Sequence, residues 1–218
     1  MLLDRVLAAA RPILLPAFTL WGSPVTWLEI VAFGLSVAMV FYQLRVNPLA
    51  WPLAIVSSLL YALLFADSRL YGEASLQFVF IAVAGWGWWL WLRGTGDIDG
   101  SGTALQVRSM GTRSRWLTAA ATLAAWPMLG LLLARSTDSD VPWLDAMPTV
   151  ASVTGQVLLA RKCVENWPVW LAVNAISVGL FAYKGLWLTV LLYAVFAVLS
   201  WVGWRTWQRL LTPASAPR

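Results

Sequence analysis

The chain has 218 residues, of which 60% are hydrophobic and 11% are charged, and its mean hydropathy is +0.72. A soluble domain carries about 25% charged residues, and disorder needs low hydrophobicity with high charge, so both classes are excluded. With 16 Trp, one Cys and no His, His-based metal sites, Ser-His-Asp triads, disulfides within the chain and zinc clusters are excluded too.

The apolar sequence breaks into seven runs of spanning length. They cover residues 26–44, 48–66, 74–92, 116–134, 143–160, 167–183 and 186–204. The expected fold class is an all-α integral membrane protein of seven transmembrane helices. Residues 1–25 read as an N-terminal interfacial segment. Arg11, Pro12 and Pro16 interrupt its apolar run, which points to an interfacial helix or an uncleaved start. An eighth span is the alternative, and Arg11 argues against a signal peptide. Residues 93–115, with Gly96, Gly100, Gly102 and Gly111, read as a cytoplasmic loop. Residues 209–218 are a C-terminal tail whose end, 212–218, reads as disordered.

Lys and Arg set the expected orientation. Seven spans place five basic residues on the side of the N-terminus and ten on the other. The basic side faces the cytoplasm, so the N-terminus lies outside and the C-terminus inside. The net charge of +5 then reflects loops, not nucleic acid.

Shifting the chain by 116 residues exposes an internal repeat. Residues 26–91 match 142–207 at 17 of 66 positions without a gap, where chance in this composition gives roughly 5 or 6. Trp27, Trp51, Trp88 and Trp91 meet Trp143, Trp167, Trp204 and Trp207, and Gly87 meets Gly203. The reading is a 3+1+3 arrangement. Residues 26–92 and 142–208 are parallel three-helix repeats, and 116–134 is a linker transmembrane helix. The matched Trp pairs lie near helix ends and read as duplicated interfacial anchors, joined by Trp21 and Trp89.

The repeat also sorts the polar residues. Ser58 meets Asn174, Tyr61 meets Ser177, and Gln77 meets Tyr193. A pseudo-two-fold axis brings such pairs toward one central space; the alternative is interhelical glue. Asn166, Trp170, Asn174 and Ser177 share one helix face. An indole and an amide on one face suit a flat polar ligand. Asn166 and Trp167 instead read as a helix start, with Pro168 in its first turn. Gln156 is an isolated amide in an apolar run, which needs a neighbour or a ligand. Trp86 reads as deep enough to face the core. Ser36 and Ser152 read as close packing.

The candidate substrate-binding set is therefore Trp170, Asn174, Gln77, Gln156, Tyr61, Ser177, Tyr193, Ser58 and Trp86. No cofactor, metal or catalytic group is expected. Glu29, Glu73, Asp145 and Glu165 sit near helix ends, so no mid-span carboxylate is available for ion coupling. No phosphate-binding GxxxxGK[ST] motif is present. Passive exchange of a small molecule remains. The rival class, a membrane-embedded enzyme or structural subunit, has few candidate groups.

Residues 25–208 resemble the Pnu family of bacterial vitamin transporters. The resemblance rests on Trp51, Tyr71-Gly72-Glu73, Leu76-Gln77-Phe78 and Gly85-Trp86-Gly87-Trp88-Trp89. In the second half it rests on 158–162, Glu165-Asn166-Trp167, Trp170, Asn174 and 183–186. It implies a SWEET-like fold, a homotrimer in the bacterial inner membrane among its lipids, and facilitated diffusion. It implies nicotinamide riboside as substrate, trapped by a separate cytoplasmic kinase; relatives of similar appearance carry thiamine or riboflavin. A pyridinium can be held by an aromatic face at roughly 0.5–2 kcal/mol, with Asn174, Gln77 and Gln156 pairing its amide and ribose.

Overall fold

The structure is a computed structural model and describes residues 10–67, 71–93, 106–136, 142–183 and 187–211. The predicted disordered end at 212–218 and most of the predicted loop at 93–115 lie outside those residues. Among them, seven long helices follow a short antiparallel hairpin, β1 (Pro16–Leu20) and β2 (Ser23–Thr26). The helices are α1 (Trp27–Leu44), α2 (Ala50–Asp67), α3 (Tyr71–Arg93), α4 (Thr112–Ser136), α5 (Pro142–Ala160), α6 (Asn166–Tyr183) and α7 (Trp187–Leu211).

Residues 10–14 are helical, and the hairpin that follows them replaces the helix expected to run on to Trp21. Trp21 and Gly22 both adopt positive φ (46° and 85°), which two-residue hairpin turns require. Pro16 and Pro24 disfavour a helix there in any case. The Trp21 ring meets Trp187 edge-on at 5.7 Å, which ties the hairpin to the start of α7.

Each trio of helices packs in series, α1 on α2 on α3 and α5 on α6 on α7, with α4 against α5. The main helix packings between the trios are α3 with α5 and α1 with α7. These are equivalent under the 116-residue repeat. α1, α4 (as Thr112–Arg135) and α7 are long and apolar enough to cross a membrane, and Ala50–Leu64 is a shorter apolar stretch.

The repeat extends to backbone detail. α1 and α5 end in the same Schellman turn. Val46 and Lys162 occupy its left-handed position (φ 54° and 51°). Asn47 N donates to Tyr42 O (3.0 Å), as Cys163 N donates to Leu158 O (2.9 Å). A β-branched residue at positive φ is rare, so the tertiary structure must hold Val46 there. Pro52 and Pro168 lie in the first turns of α2 and α6, where no intrahelical donor is lost.

The tryptophans require a second correction. Trp51, Trp91, Trp167 and Trp207 are 0%, 5%, 1% and 0% exposed and belong to one core cluster. They are not interfacial anchors. Trp51 lies over bare Gly87 and Trp167 over bare Gly203, so a Cβ on either glycine would overlap the ring. Trp51 meets Trp91 edge-on at 5.4 Å, as Trp167 meets Trp207 at 5.4 Å. Trp21, Trp27, Trp88, Trp89 and Trp143 do stay exposed.

Part of the predicted loop is a docked strap. Arg108 N donates to Lys162 O (3.0 Å) and Arg108 O accepts from Val164 N (2.9 Å). Glu165 Oε1 accepts from Ser109 Oγ (2.8 Å), Met110 N (2.9 Å) and Arg115 Nη2 (2.8 Å). Burial raises the Glu165 carboxyl, but its own backbone N–H and these three donors outweigh that and hold it below the usual carboxylate value. The strap fixes the entry to α4 against the α5–α6 turn.

Gly87→Ala should lower thermal stability of the detergent-purified protein by about 1–3 kcal/mol through overpacking. Gly203→Ala should do the same at the equivalent lock. Gly85→Ala, where an added Cβ meets nothing, should leave the melting temperature within the scatter of the wild type. Equal melting of all three variants would show that the glycines are not needed for the indoles.

Candidate functional site

A cavity of about 300 Å³ lies between the two trios. Helices α1, α2, α3, α5, α6 and α7 all contribute to its wall. The helix rise of 1.5 Å per residue places its residues in depth. Glu29 is in the first turn of α1. Gln77, Tyr61 and Tyr193 lie about 9 Å from the same end of their helices. Ser36, Ser58 and Asn174 follow at about 14 Å, and Trp170 and Gln156 at about 20 Å. Gln43 and Trp167 form the floor. The deep polar residues Gln43, Ser152, Gln156, Asn174 and Ser200 are buried, whereas Glu29, Phe33, Phe181 and Thr189 near the other end are only partly so. The cavity mouth is therefore the Glu29 end.

Seven of the nine residues singled out from the sequence line this cavity: Trp170, Asn174, Gln77, Gln156, Tyr61, Tyr193 and Ser58. Trp86 does not. Gly87 faces the Trp51 ring, and the preceding residue on a helix points about 100° away. Trp86 is 37% exposed, and the Arg161 guanidinium lies 5.8 Å from its ring centroid. Ser177 is buried within the bundle but does not reach the cavity. Ser36 and Ser152, expected as packing residues, are on the wall. Gln43, Ser57, Thr189, Ser200 and Glu29 are wall residues that sequence reasoning missed. The repeat register held a signal for Ser36 and Ser152, which are identical and paired.

Local packing fixes the wall groups. The Trp170 indole lies against Gly155 of α5, where a Cβ would sit 3.1 Å from the ring. Gly155 thus sets how far Trp170 retreats from the cavity. Asn174 Nδ2 donates to Ser200 Oγ (3.1 Å), which holds the amide in one orientation across α6 and α7. Ser36 and Ser57 share a 2.6 Å hydrogen bond, and Tyr61 hydrogen-bonds Ser36. Phe181 stacks on Tyr193 at 5.1 Å. Asn166 points elsewhere, donating to Cys163 O at 2.7 Å as a helix-start residue. These groups offer amide and hydroxyl partners and a flat indole face. The chemistry of such a wall suits a planar polar molecule.

Below the floor, the trios are latched to each other. Trp91 Nε1 donates to Ala160 O (3.1 Å), and Trp207 Nε1 donates to Gln43 O (3.2 Å). Each indole reaches the last turn of the first helix in the opposite repeat. The two rings are 6.3 Å apart. The Lys162 ammonium lies 4.6 Å over the Trp91 ring, and burial lowers its pKa. The cavity is thus shut at this end by two buried indoles.

Comparison with known proteins follows the same architecture. The family model described as nicotinamide mononucleotide transporter matches residues 26–209. The nicotinamide riboside transporter PnuC of Escherichia coli is 36% identical over 66 residues, 30% of this chain and only 28% of that protein. PnuC of Neisseria mucosa is 24% identical over 87% of this chain and 74% of its own length. The riboflavin/roseoflavin transporter RibM of Streptomyces davaonensis is 28% identical over 88% of this chain and 89% of its own. A crystal structure of the vitamin B3 transporter PnuC superposes with a TM-score of 0.71 at 22% identity, covering 96% of this chain and 89% of that one. The fold is shared with that transporter. The chain belongs to the nicotinamide mononucleotide transporter (PnuC) family and is a multi-pass membrane protein.

Proposed function

We propose that the chain is a carrier for facilitated diffusion of nicotinamide riboside, built of seven spans in a 3+1+3 arrangement. The supporting observation is the cavity between the trios, where Trp170, Asn174, Gln156 and Gln77 face one space. The Trp170 face stacks the pyridinium ring. Asn174, Gln156 and Gln77 pair with the carboxamide and the ribose hydroxyls, and Ser58, Tyr61 and Tyr193 complete the wall. Two relatives named as nicotinamide riboside transporters agree with this substrate. The volume, about 300 Å³, is at the small end of ligand pockets and suits a one-ring riboside. Riboflavin is the second reading, favoured by the near full-length match to RibM.

In this reading the N-terminus lies outside and the C-terminus in the cytoplasm of the bacterial inner membrane. The mouth at Glu29 then opens outward, and the Trp91–Trp207 latch closes the cytoplasmic end. Release inward requires the trios to rock apart there, breaking both indole–carbonyl bonds while the mouth closes. No ion gradient drives the step. The carrier works as a homotrimer, and phosphorylation by a cytoplasmic kinase keeps the product inside.

Proteoliposomes loaded with unlabelled nicotinamide riboside should accumulate the labelled compound by counterflow without a proton or sodium gradient. An absolute need for a gradient, or exchange of riboflavin alone, would overturn the proposal. Asn174→Ala should weaken nicotinamide riboside binding about tenfold, the loss of one buried hydrogen bond. Ser200→Ala serves as the control for helix gluing. If Asn174 only holds α7, both variants lose the same stability and neither loses affinity.

Gly155→Ala should push the Trp170 ring toward the ligand by a few tenths of an ångström and shift affinity with no loss of expression. Unaltered affinity, measured by titration calorimetry, would remove Trp170 from the ligand surface.

A further inference from the structure

Glu29 is the one residue of formal charge among the described residues that line the cavity. Among the described residues the wall carries no Lys or Arg. Its position is fixed by a capping box. Thr26 Oγ1 accepts from Glu29 N (3.2 Å), and Glu29 Oε2 accepts from Thr26 N (2.8 Å). Thr26 Oγ1 also lies 3.3 Å from Oε2. All these contacts to the carboxylate use one oxygen. The carboxylate is half-buried at the mouth, about 20 Å by helix rise from the Gln43 floor.

A cleft lined by one sign of charge between low-dielectric walls focuses its field and raises the local concentration of the opposite charge. Any ligand that reaches Trp170 passes this carboxylate. An indole face holds a cationic ring, yet it also stacks a neutral one, so Trp170 alone separates the two poorly.

We propose that Glu29 is the residue that selects permanently cationic aromatic ligands over neutral ones at the cavity mouth. The inference rests on the carrier reading above and adds the charge class of its substrate. It covers pyridinium and thiazolium rings alike, and it places uncharged isoalloxazines at a disadvantage. The repulsion of anions follows from the same field, so a phosphorylated riboside, with its negative phosphate, enters less readily than the riboside itself.

The decisive pair of probes is nicotinamide riboside and its reduced dihydropyridine form, which has the same skeleton without the positive charge. Glu29→Gln keeps the side-chain partner that a capping box needs and removes only the charge. Binding of both probes to the full-length protein is measured at low and high salt. The wild type should bind the cation about tenfold tighter than the neutral form at low salt, and salt should narrow the gap. Glu29→Gln should narrow that gap several-fold and lose its salt dependence, leaving the residual preference that the Trp170 face gives a cationic ring. A preference for the cation that is undiminished in Glu29→Gln and keeps its salt dependence would overturn the assignment while leaving the carrier reading intact. Equal loss for both probes would show a structural role only. Binding of neither form by the wild type would remove the carrier reading and this inference with it.

Discussion

Two indole rings, Trp51 and Trp167, lie against bare glycine faces where any side chain would collide, and the rest of the bundle is organised by that approach. Each ring brings the second helix of its repeat onto the third. The third helix then ends in another tryptophan, Trp91 or Trp207, packed edge-on against the first. Those terminal indoles have their N–H groups free of their own repeat. They donate instead to Ala160 and Gln43 of the other repeat. A buried unpaired donor costs about 1–3 kcal/mol, so each repeat is incomplete until the other meets it. The lock within a repeat and the latch between repeats are one continuous aromatic cluster.

The cavity is a consequence of this asymmetry between the two ends. Bulky indoles fill the space between the trios at the latch. Toward the other end the facing residues are serines, amides and single aromatic rings, and they leave a gap. Ser36 and Ser152 occupy equivalent places on the two walls. The hydrogen bond from Asn174 to Ser200 orders the amide at mid-depth. Polar groups here are partly satisfied by each other, so a ligand meets a wall already oriented. Such preorganisation reduces the ordering cost on binding.

Much of this was legible in the sequence because the locks are duplicated. Trp51 with Gly87 and Trp167 with Gly203 stand at one offset, and that offset located six of the seven helices in register. The depth of the tryptophans was not legible. A Trp near a helix end reads the same whether it touches headgroups or a neighbouring repeat, and only the partner decides. Trp86 was misjudged for a related reason. Its neighbour Gly87, not its own chemistry, determines which way it points. Glu29 was hidden by its second role, since a carboxylate in a first helical turn is explained completely by capping. The hairpin at 16–26 depends on positive φ at Trp21, which no apolar count reveals. Eight of the nine candidates came from repeat pairing, helix-face spacing or isolation in an apolar run, and seven of those eight line the cavity; these are statements about direction that a regular helix preserves.

The central claim is one ligand cavity open at the Glu29 end and shut by Trp91 and Trp207 at the other. Sided labelling tests it most directly. Cys163 is buried and is replaced by Ser, and a single cysteine is placed at Ser58 on the cavity wall. Inside-out and right-side-out vesicles are then treated with a membrane-impermeant maleimide. The account predicts labelling through the Glu29 face when no ligand is present, and protection by nicotinamide riboside at concentrations that saturate counterflow. Equal labelling from both faces, or labelling that the riboside leaves unchanged, would contradict it.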